Sequence, residues 1–205
     1  MLTPNLLAYV RCSLPEPPAR ILEVGAGQGE LAGELRAAGW EVTAIDPSEK
    51  SGPGVERIPL LEARGSFDAA VAVVSLHHVD PLEESCARLA TLIGPGGRLV
   101  IDELDVARYD DRAVDWWIAQ RRTLGPVDHD LDRDRILGML REHIHPLAIV
   151  CAALEPYFEL GEPVPGPYLH RWELRPSLEA VEVGLIAEGL LPAVGARLIA
   201  TRRGS

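Results

Sequence analysis

The sequence predicts an α/β protein with a doubly wound, mostly parallel sheet, and three stretches of the chain predict it. Residues 21–24 are a short apolar run that ends abruptly in a glycine-rich loop with a helix behind it. Residues 41–46 form a second apolar run that ends in an acid. Residues 67–74 form a third, followed by a helix at roughly Leu82–Leu92 and a further strand at Arg98–Ile101. Strands that alternate with helices favour parallel pairing, with helices on both faces of the sheet.

The loop after the first strand reads Gly25-Ala26-Gly27-Gln28-Gly29. Glycine permits positive φ and has no side chain, so a ligand can lie directly on the main chain. Open α/β sheets bind nucleotide-like ligands at such loops, because the loops follow the carboxyl ends of parallel strands. We therefore expect this loop to form part of a ligand site.

The spacing of the glycines decides between ligands. A dinucleotide fingerprint has the pattern G-x-G-x-x-G/A, whereas here the pattern is G-x-G-x-G and Glu30 follows Gly29. A carboxylate at this helix N-terminus would repel the pyrophosphate of a dinucleotide. A nicotinamide-dependent reductase is therefore only a minor alternative.

Three further features extend the pattern into a family resemblance. The run E-V-G-A-G-x-G that begins at Glu23 resembles motif I of the class I S-adenosylmethionine-dependent methyltransferases. Residues 67–79 resemble motif IV of the group that includes the ubiquinone-biosynthesis enzymes, and the turn at Pro95-Gly96-Gly97 before strand five is another family feature. The motifs cover residues 21–103, about half of the chain. The resemblance implies a Rossmann-like sheet of seven strands, an antiparallel last strand, a helical insertion after strand five, and S-adenosylmethionine as the cofactor.

The resemblance also implies a set of cofactor-binding residues. Glu23 lies near the methionine ammonium in this family, and Asp46 could accept the ribose hydroxyls, although NAD sites use a carboxylate in the same way. Glu56 and Arg57 occupy the place of the third strand and the adenine contact, where the usual aspartate is missing or replaced by Glu56. The complete implied set is Glu23, Gly25, Ala26, Gly27, Gly29, Asp46, Pro47, Glu56, Arg57, Val74 and Ser75.

Several histidines are candidates for catalysis or for metal binding. His78 follows the third apolar run, so it is a candidate general base or methionine-end contact; a structural role in packing the loop is an equal alternative. His143 and His145 resemble half of a metal site, but no third ligand has suitable spacing, so we predict no metal. His129 is flanked by two aspartates, which favours a position in a solvated loop over a role in catalysis.

The rest of the chain is predicted to build on the sheet as one domain, residues 1–205. Residues 1–18 form an N-terminal helix or a lid, with Tyr9 and Arg11 as lid candidates. Residues 105–155 form the helical insertion, a predicted cover of the acceptor pocket, in which Trp116 and Trp117 belong either to the core or to the substrate wall. The predicted elements are helices at Thr3–Val10, Asp111–Leu124, Asp132–Glu142, Pro146–Leu154 and Leu178–Leu190, and strands at Tyr157–Leu160, Tyr168–Leu174 and Gly195–Arg202.

The composition of the chain limits the kinds of partner and location that we expect. The net charge of −11 argues against a nucleic-acid partner, which needs a basic surface. We find no apolar run of membrane-spanning length and no signal-peptide pattern, and three scattered cysteines indicate reduced thiols, so we expect a cytoplasmic protein with no membrane partner. A homodimer is compatible with the sequence.

The predicted function is methyl transfer from S-adenosylmethionine to a small-molecule acceptor by in-line displacement. The N-P-P-Y/F run of many enzymes that methylate nucleic acids and proteins is missing, which favours a small acceptor. Because no catalytic base is unambiguous, a second hypothesis stays open: a fold that binds the cofactor without methyl transfer, as a pericyclase, a decarboxylase-like enzyme or a regulatory protein.

Overall fold

A computed structural model of the chain describes residues 2–125 and 132–204. The strands are β1 Arg20–Val24, β2 Glu41–Ile45, β3 Phe67–Val73, β4 Ile93–Leu104, β5 Phe158–Leu160, β6 Val164–Gly166 and β7 Gly195–Arg202. The helices are α1 Pro4–Ser13, α2 Glu30–Ala37, α3 Leu82–Leu92, α4 Asp111–Arg122, α5 Arg133–His143, α6 Leu147–Leu154 and α7 Glu179–Ala187. Pro126 and His129 lie outside the described residues.

The strands form one sheet in the order β2-β1-β3-β4-β7-β5, and β6 also pairs with β7. The four strands β2, β1, β3 and β4 run parallel, and β7 is antiparallel to β4. The short strands β5 and β6 lie on the same side of β7, one beside each of its halves. The predicted mostly parallel sheet of seven strands with an antiparallel last strand is confirmed.

Side chains alternate between the two faces of the sheet, and each face is covered by helices. Ile21, Val71 and Val100 pack with residues of α1 and α2, whereas Leu22 and Leu99 pack with residues of α3 and α6. This alternation is the period of two that a strand imposes, so strands covered on both faces consist mainly of apolar residues. The sheet is therefore doubly wound. Because helices cover both of its faces, a ligand can reach the sheet at the ends of its strands.

The third strand of the family pattern is reduced to one contact. Ile45 and Glu56 form an isolated parallel bridge, and the Asp46 amide donates to the Glu56 carbonyl at 3.0 Å. Residues 47–55, which include Pro47, Pro53 and two glycines, lead into this bridge. Proline removes ladder donors and glycine weakens extended structure, so this edge does not continue as a strand.

The prediction of a strand over Tyr168–Leu174 was wrong. Leu169–Arg171 form a single 3₁₀ turn instead. The Glu182 carboxylate accepts the backbone amides of Tyr168 and Leu169 at 2.7 and 2.9 Å, and that of His170 at 2.9 Å. These amides point at a side chain, so they are not available to a strand ladder.

The helical insertion is confirmed as α4, α5 and α6. Asp110 and Asp132 cap α4 and α5, because their carboxylates accept the amides of Ala113 at 3.1 Å and Arg135 at 2.8 Å. Helices α4 and α5 pack with the chain around Tyr168 into an apolar cluster separate from the two sheet faces, whereas α6 packs on the sheet face that α3 also covers. This cluster lies beyond the carboxyl end of β4, since its sheet member is Leu104.

One stretch, Arg133–Leu154, has the length and composition of a membrane span, so the expectation that the chain has no such run was wrong by this measure. The stretch is divided into α5 and α6 at residues 144–146. Its buried residues Leu140 and Leu147 pack into two different core clusters. Packing of this kind is a sufficient explanation for the apolar composition of both helices.

Candidate functional site

The glycine loop leaves β1 with positive φ at all three glycines, +72° at Gly25, +52° at Gly27 and +76° at Gly29. A Cβ at Gly25 would lie 2.3 Å from the Cβ of Ser75, because the chain leaving β3 crosses there. A Cβ at Gly27 would meet no atom within 4 Å. The first glycine is thus required by the packing of two loops, and the second keeps a surface open beside the main chain.

Glu23 places a carboxylate beside this open surface. It is on β1, two residues before Gly25, and its side chain is only 4% exposed. Its Oε2 atom is buried and has no hydrogen-bond partner among the described residues. Burial raises the pKa of Glu23 from 4.5 to about 7, because the charged form loses solvation. A buried carboxylate without a partner suits a ligand that brings its own cation.

Asp46 follows β2 and already accepts three hydrogen bonds. The Gly27 amide donates to Oδ2 at 2.9 Å, and the Ser48 amide and the Ser51 hydroxyl donate to Oδ1 at 2.8 and 3.1 Å. A carboxylate has about four lone-pair sites, so roughly one is left for a ribose hydroxyl. The ribose role of Asp46 stays a prediction, and the carboxylate has a second task in holding the Gly27 amide.

Three cavities lie along this edge of the sheet. The loop cavity, about 490 Å³, is bounded by Glu23, the glycine loop and Arg171. The Asp46 cavity, about 440 Å³, is bounded by Asp46, Pro47 and Ser75. The histidine cavity, about 580 Å³, has both sheet-edge histidines and Trp172 in its wall.

Val74 lies at the junction of these cavities and lines all three of them. Its φ is +53°, in the left-handed region that a β-branched side chain rarely adopts. Its amide donates to the Asp102 carbonyl at 2.8 Å, which helps to hold this conformation. Strained backbone of this kind clusters at ligand sites, so the junction is the strongest local indication of where chemistry occurs.

Other predicted residues are distributed unevenly. Gly25, Ala26 and Gly27 line the loop cavity, whereas Gly29 lies behind it as the residue before α2. Glu56 and Arg57 are exposed and line none of these cavities. The wall at the place of the predicted adenine contact is instead apolar and consists of Ile58, Pro59, Leu60 and Leu61.

His78 lines both the Asp46 cavity and the histidine cavity. Desolvation, and then the neighbouring His77 ring 4.1 Å away, lower the pKa of His78, so that the imidazole is neutral near pH 7. A neutral imidazole can accept a proton, which is what a general base needs. The catalytic role of His78 stays a prediction.

The histidine cavity has an aromatic wall that the sequence did not reveal. Trp172 stacks on Trp117 with 4.3 Å between ring centroids, and the Trp117 indole N–H donates to the Trp172 carbonyl at 2.7 Å. Trp117 therefore belongs to the core and supports Trp172, while Trp116 lines none of the three cavities. Tyr109 adds a buried hydroxyl without a partner among the described residues.

Two buried glutamates shape the walls, and neither was predicted. The Glu103 Oε1 accepts the amides of Ser75 and Leu76 at 2.8 and 2.7 Å, and its Oε2 pairs with His77 Nδ1 at 2.6 Å. Glu182 binds the Tyr168-Leu169-His170 turn in the same way, with His170 Nδ1 at 2.7 Å. The two turns that these glutamates hold have similar sequences, Ser75-Leu76-His77 and Tyr168-Leu169-His170. This repeat is the sequence signal that could have indicated a shared structure.

The N-terminal segment contributes to the loop cavity through Leu6 of α1 and Leu2, which precedes this helix. The lid candidates Tyr9 and Arg11 do not line it. The Tyr9 hydroxyl donates to the carbonyls of Ile101 and Leu198 at 3.2 and 3.0 Å, which anchors α1 to the sheet. The helix interpretation of this segment agrees with these contacts.

Comparison with known proteins gives relatives that match about half of the chain. A ubiquinone biosynthesis O-methyltransferase of Xanthomonas axonopodis pv. citri (strain 306) is 34% identical over 121 residues, covering 51% of this chain and 51% of that protein. Its counterpart in Aromatoleum aromaticum is 32% identical over 104 residues, covering 42% and 44%. The chain therefore spans about half the length of these curated relatives.

Solved structures share the fold over nearly the whole chain. An S-adenosylmethionine-dependent methyltransferase from Mesorhizobium loti has a TM-score of 0.61 at 20% identity and covers 97% of each chain. The cyclase SpnF also has a TM-score of 0.61, at 16% identity, covering 98% of this chain and 82% of that one. At these identities the likeness concerns the fold alone. A family model described as a methyltransferase domain matches residues 5–133, which is more than half of the chain. Together with the glycine loop that follows Glu23, this match shows that the chain belongs to the class I S-adenosylmethionine-dependent methyltransferase family.

Proposed function

We propose that this protein transfers a methyl group from S-adenosylmethionine to a small-molecule acceptor. The observation that carries the proposal is the junction at Val74, where the cavity beside the buried Glu23, the cavity beside Asp46 and the aromatic cavity meet. Bound S-adenosylmethionine would supply an already activated sulfonium methyl. The protein's task is then mainly to orient the acceptor, which can lower a barrier by up to ~7–11 kcal/mol.

The residues present fit this cofactor. Glu23 would bind the ammonium of its amino-acid end, because its Oε2 atom is buried and has no hydrogen-bond partner among the described residues. Gly25 and Gly27 would let the cofactor approach the main chain, and Asp46 with Pro47 would face the ribose. The apolar wall at residues 58–61 would hold the adenine by contact rather than through Glu56 or Arg57.

We place the acceptor in the histidine cavity, with the insertion at residues 105–155 as its cover. Met139, Leu140 and His143 of α5 line this cavity, and the described residues of its wall include no carboxylate, lysine or arginine. A flat, mainly apolar acceptor can pack against Trp172, and a polar substituent can pair with the Tyr109 hydroxyl. These features favour an aromatic hydroxyl over a cationic amine, in agreement with the O-methyltransferase names of the relatives.

His78 would take the hydroxyl proton as the methyl group is transferred. A lowered pKa keeps the imidazole of His78 neutral and ready to accept it. With labelled S-adenosylmethionine and a panel of phenols and amines, we expect label in phenols. His78→Ala should then lower turnover by ~10²-fold and leave S-adenosylhomocysteine affinity unchanged. His143→Ala, in the same cavity but away from Asp46, is the matched control; full turnover in His78→Ala would remove the base from the mechanism.

A cofactor-binding protein without methyl transfer is the second candidate. The cyclase SpnF shares the fold, and it is the reason to test this candidate directly. The decisive measurement is whether S-adenosylmethionine is consumed when an acceptor is converted. Conversion with the cofactor intact would favour this candidate over methyl transfer.

The location and assembly are proposals of the same kind. Cys12, Cys86 and Cys151 are all free thiols, which supports a reducing, cytoplasmic environment. A homodimer and the absence of membrane and nucleic-acid partners stay predictions. Sedimentation of the purified protein would test the dimer.

A further inference from the structure

Arg171 is the one basic side chain among the described residues that line the loop cavity, and it lies outside the residues 5–133 that match the family model. We propose that Arg171 binds the carboxylate of the cofactor's amino-acid end, so that Glu23 and Arg171 together recognise its ammonium and carboxylate groups. The inference rests on the proposed cofactor. It assigns a residue from the C-terminal part of the chain to the cofactor site.

The guanidinium of Arg171 is buried and only partly satisfied. Its side chain is 6% exposed, and its Nη1 atom pairs with Asp102. Its Nε atom is buried without a hydrogen-bond partner among the described residues. A guanidinium has five N–H donors in a planar fork, and its free edges match a carboxylate in two parallel hydrogen bonds.

The acidic residues around the loop cavity mean that a ligand carboxylate there needs a cation beside it. Its lining contains two acidic side chains, Glu23 and Glu30, besides Arg171. A ligand carboxylate that entered this cavity would be repelled by both acids and would lose its solvation. Arg171 is the group that can offset this cost, whereas Glu23 is suited to the ammonium.

Arg171 is held in place independently of any ligand. It ends the 3₁₀ turn whose amides bind Glu182, and its guanidinium lies 5.5 Å from the centre of the Tyr168 ring. Asp102 also pairs with Arg197, from its Oδ2 atom to Nε at 2.7 Å. Asp102 therefore keeps one cation when Arg171 is replaced, which makes a folded variant attainable.

The test compares two ligands that differ only in the carboxylate. S-adenosylhomocysteine carries it, and the decarboxylated analogue S-adenosyl-3-thiopropylamine does not. Calorimetry on the full chain should give ~10- to 100-fold tighter binding of S-adenosylhomocysteine to the wild type. In Arg171→Met this preference should fall to about one, while affinity for the analogue changes little. Arg171→Lys should keep part of the preference, because it retains the charge without the fork.

Arg197→Met is the matched control, because it removes the other cation of Asp102 and does not line the loop cavity. It should keep the wild-type preference. An unchanged preference in Arg171→Met, or an equal loss in Arg197→Met, would overturn the inference. If Arg171→Met does not fold, the wild type decides: equal affinity for both ligands overturns the inference alone. A wild type that binds neither ligand overturns the proposed function as well.

Discussion

Replacing Glu23 by glutamine should make the cofactor-free protein more stable at neutral pH and weaken its binding to the cofactor. Burial raises the pKa of Glu23 from 4.5 to about 7. This difference, at about 1.36 kcal/mol for each pH unit, corresponds to roughly 3 kcal/mol. The pKa of Glu23 is higher in the folded protein than in the unfolded chain, so its protonated form favours folding. This contribution to the free energy of unfolding is fully present below pH 4.5 and is lost as the pH rises through 7. Glutamine keeps the size of the side chain and cannot ionise, so the variant does not lose folding stability as the pH rises.

The same carboxylate should make binding depend on pH in the opposite direction. An ammonium favours the ionised form, so wild-type affinity for S-adenosylhomocysteine should fall by roughly 20- to 30-fold from pH 7.5 to pH 5.5. Calorimetry in two buffers of different ionisation enthalpy would detect the released proton, and thermal unfolding would follow stability over the same range. Glu23→Gln should show neither dependence. An identical pH profile in the variant would refute the assignment of both effects to Glu23.

Three substitutions test the remaining geometry of the loop. Gly25→Ala should lose about 2 kcal/mol or more of folding stability in denaturant titration, because its Cβ would collide with Ser75; wild-type stability would contradict the crossing of the two loops. Gly27→Val meets open space, so it should stay folded, at a cost of about 1–2 kcal/mol for its positive φ, and lose S-adenosylhomocysteine binding in calorimetry. If Gly27→Val still binds S-adenosylhomocysteine, the cofactor does not lie on the glycine loop. Asp46→Asn should weaken binding by roughly 10-fold and lower the melting temperature, and unchanged affinity would show that the ribose is held elsewhere.

The parts of the fold that were predictable from sequence are the parts governed by local chain chemistry. The helix at Leu82–Leu92 has the predicted bounds, and the glycine loop joins β1 to α2 as expected. The final strand Gly195–Arg202 also has its predicted bounds. Apolar runs, glycines and prolines act within a few residues, so their effects can be inferred without knowledge of the fold.

The parts that were not predictable depend on partners far away in the chain. Tyr168–Leu174 has the composition of a strand, and a turn forms because Glu182, 14 residues from Tyr168, takes the backbone amides. Arg171 reaches the loop cavity only because this turn and Asp102 place it there. No spacing rule connects a residue in this region with a glycine loop almost 150 positions earlier.

Two turns beside the cavities, at residues 75–77 and 168–170, are each held by one buried glutamate, Glu103 and Glu182. Glu103 is 1% exposed and Glu182 is fully buried, so each carboxylate has lost its water. Such burial is costly unless every oxygen is satisfied, and each glutamate here receives two or more backbone amides and a histidine. One turn follows Val74 and the other begins at Tyr168, a residue that lines both the loop cavity and the histidine cavity. The walls at the cavity junction are therefore held by hydrogen bonds from backbone amides to these two carboxylates. Replacing either Glu103 or Glu182 by alanine should weaken the packing of the cofactor side and the acceptor side together.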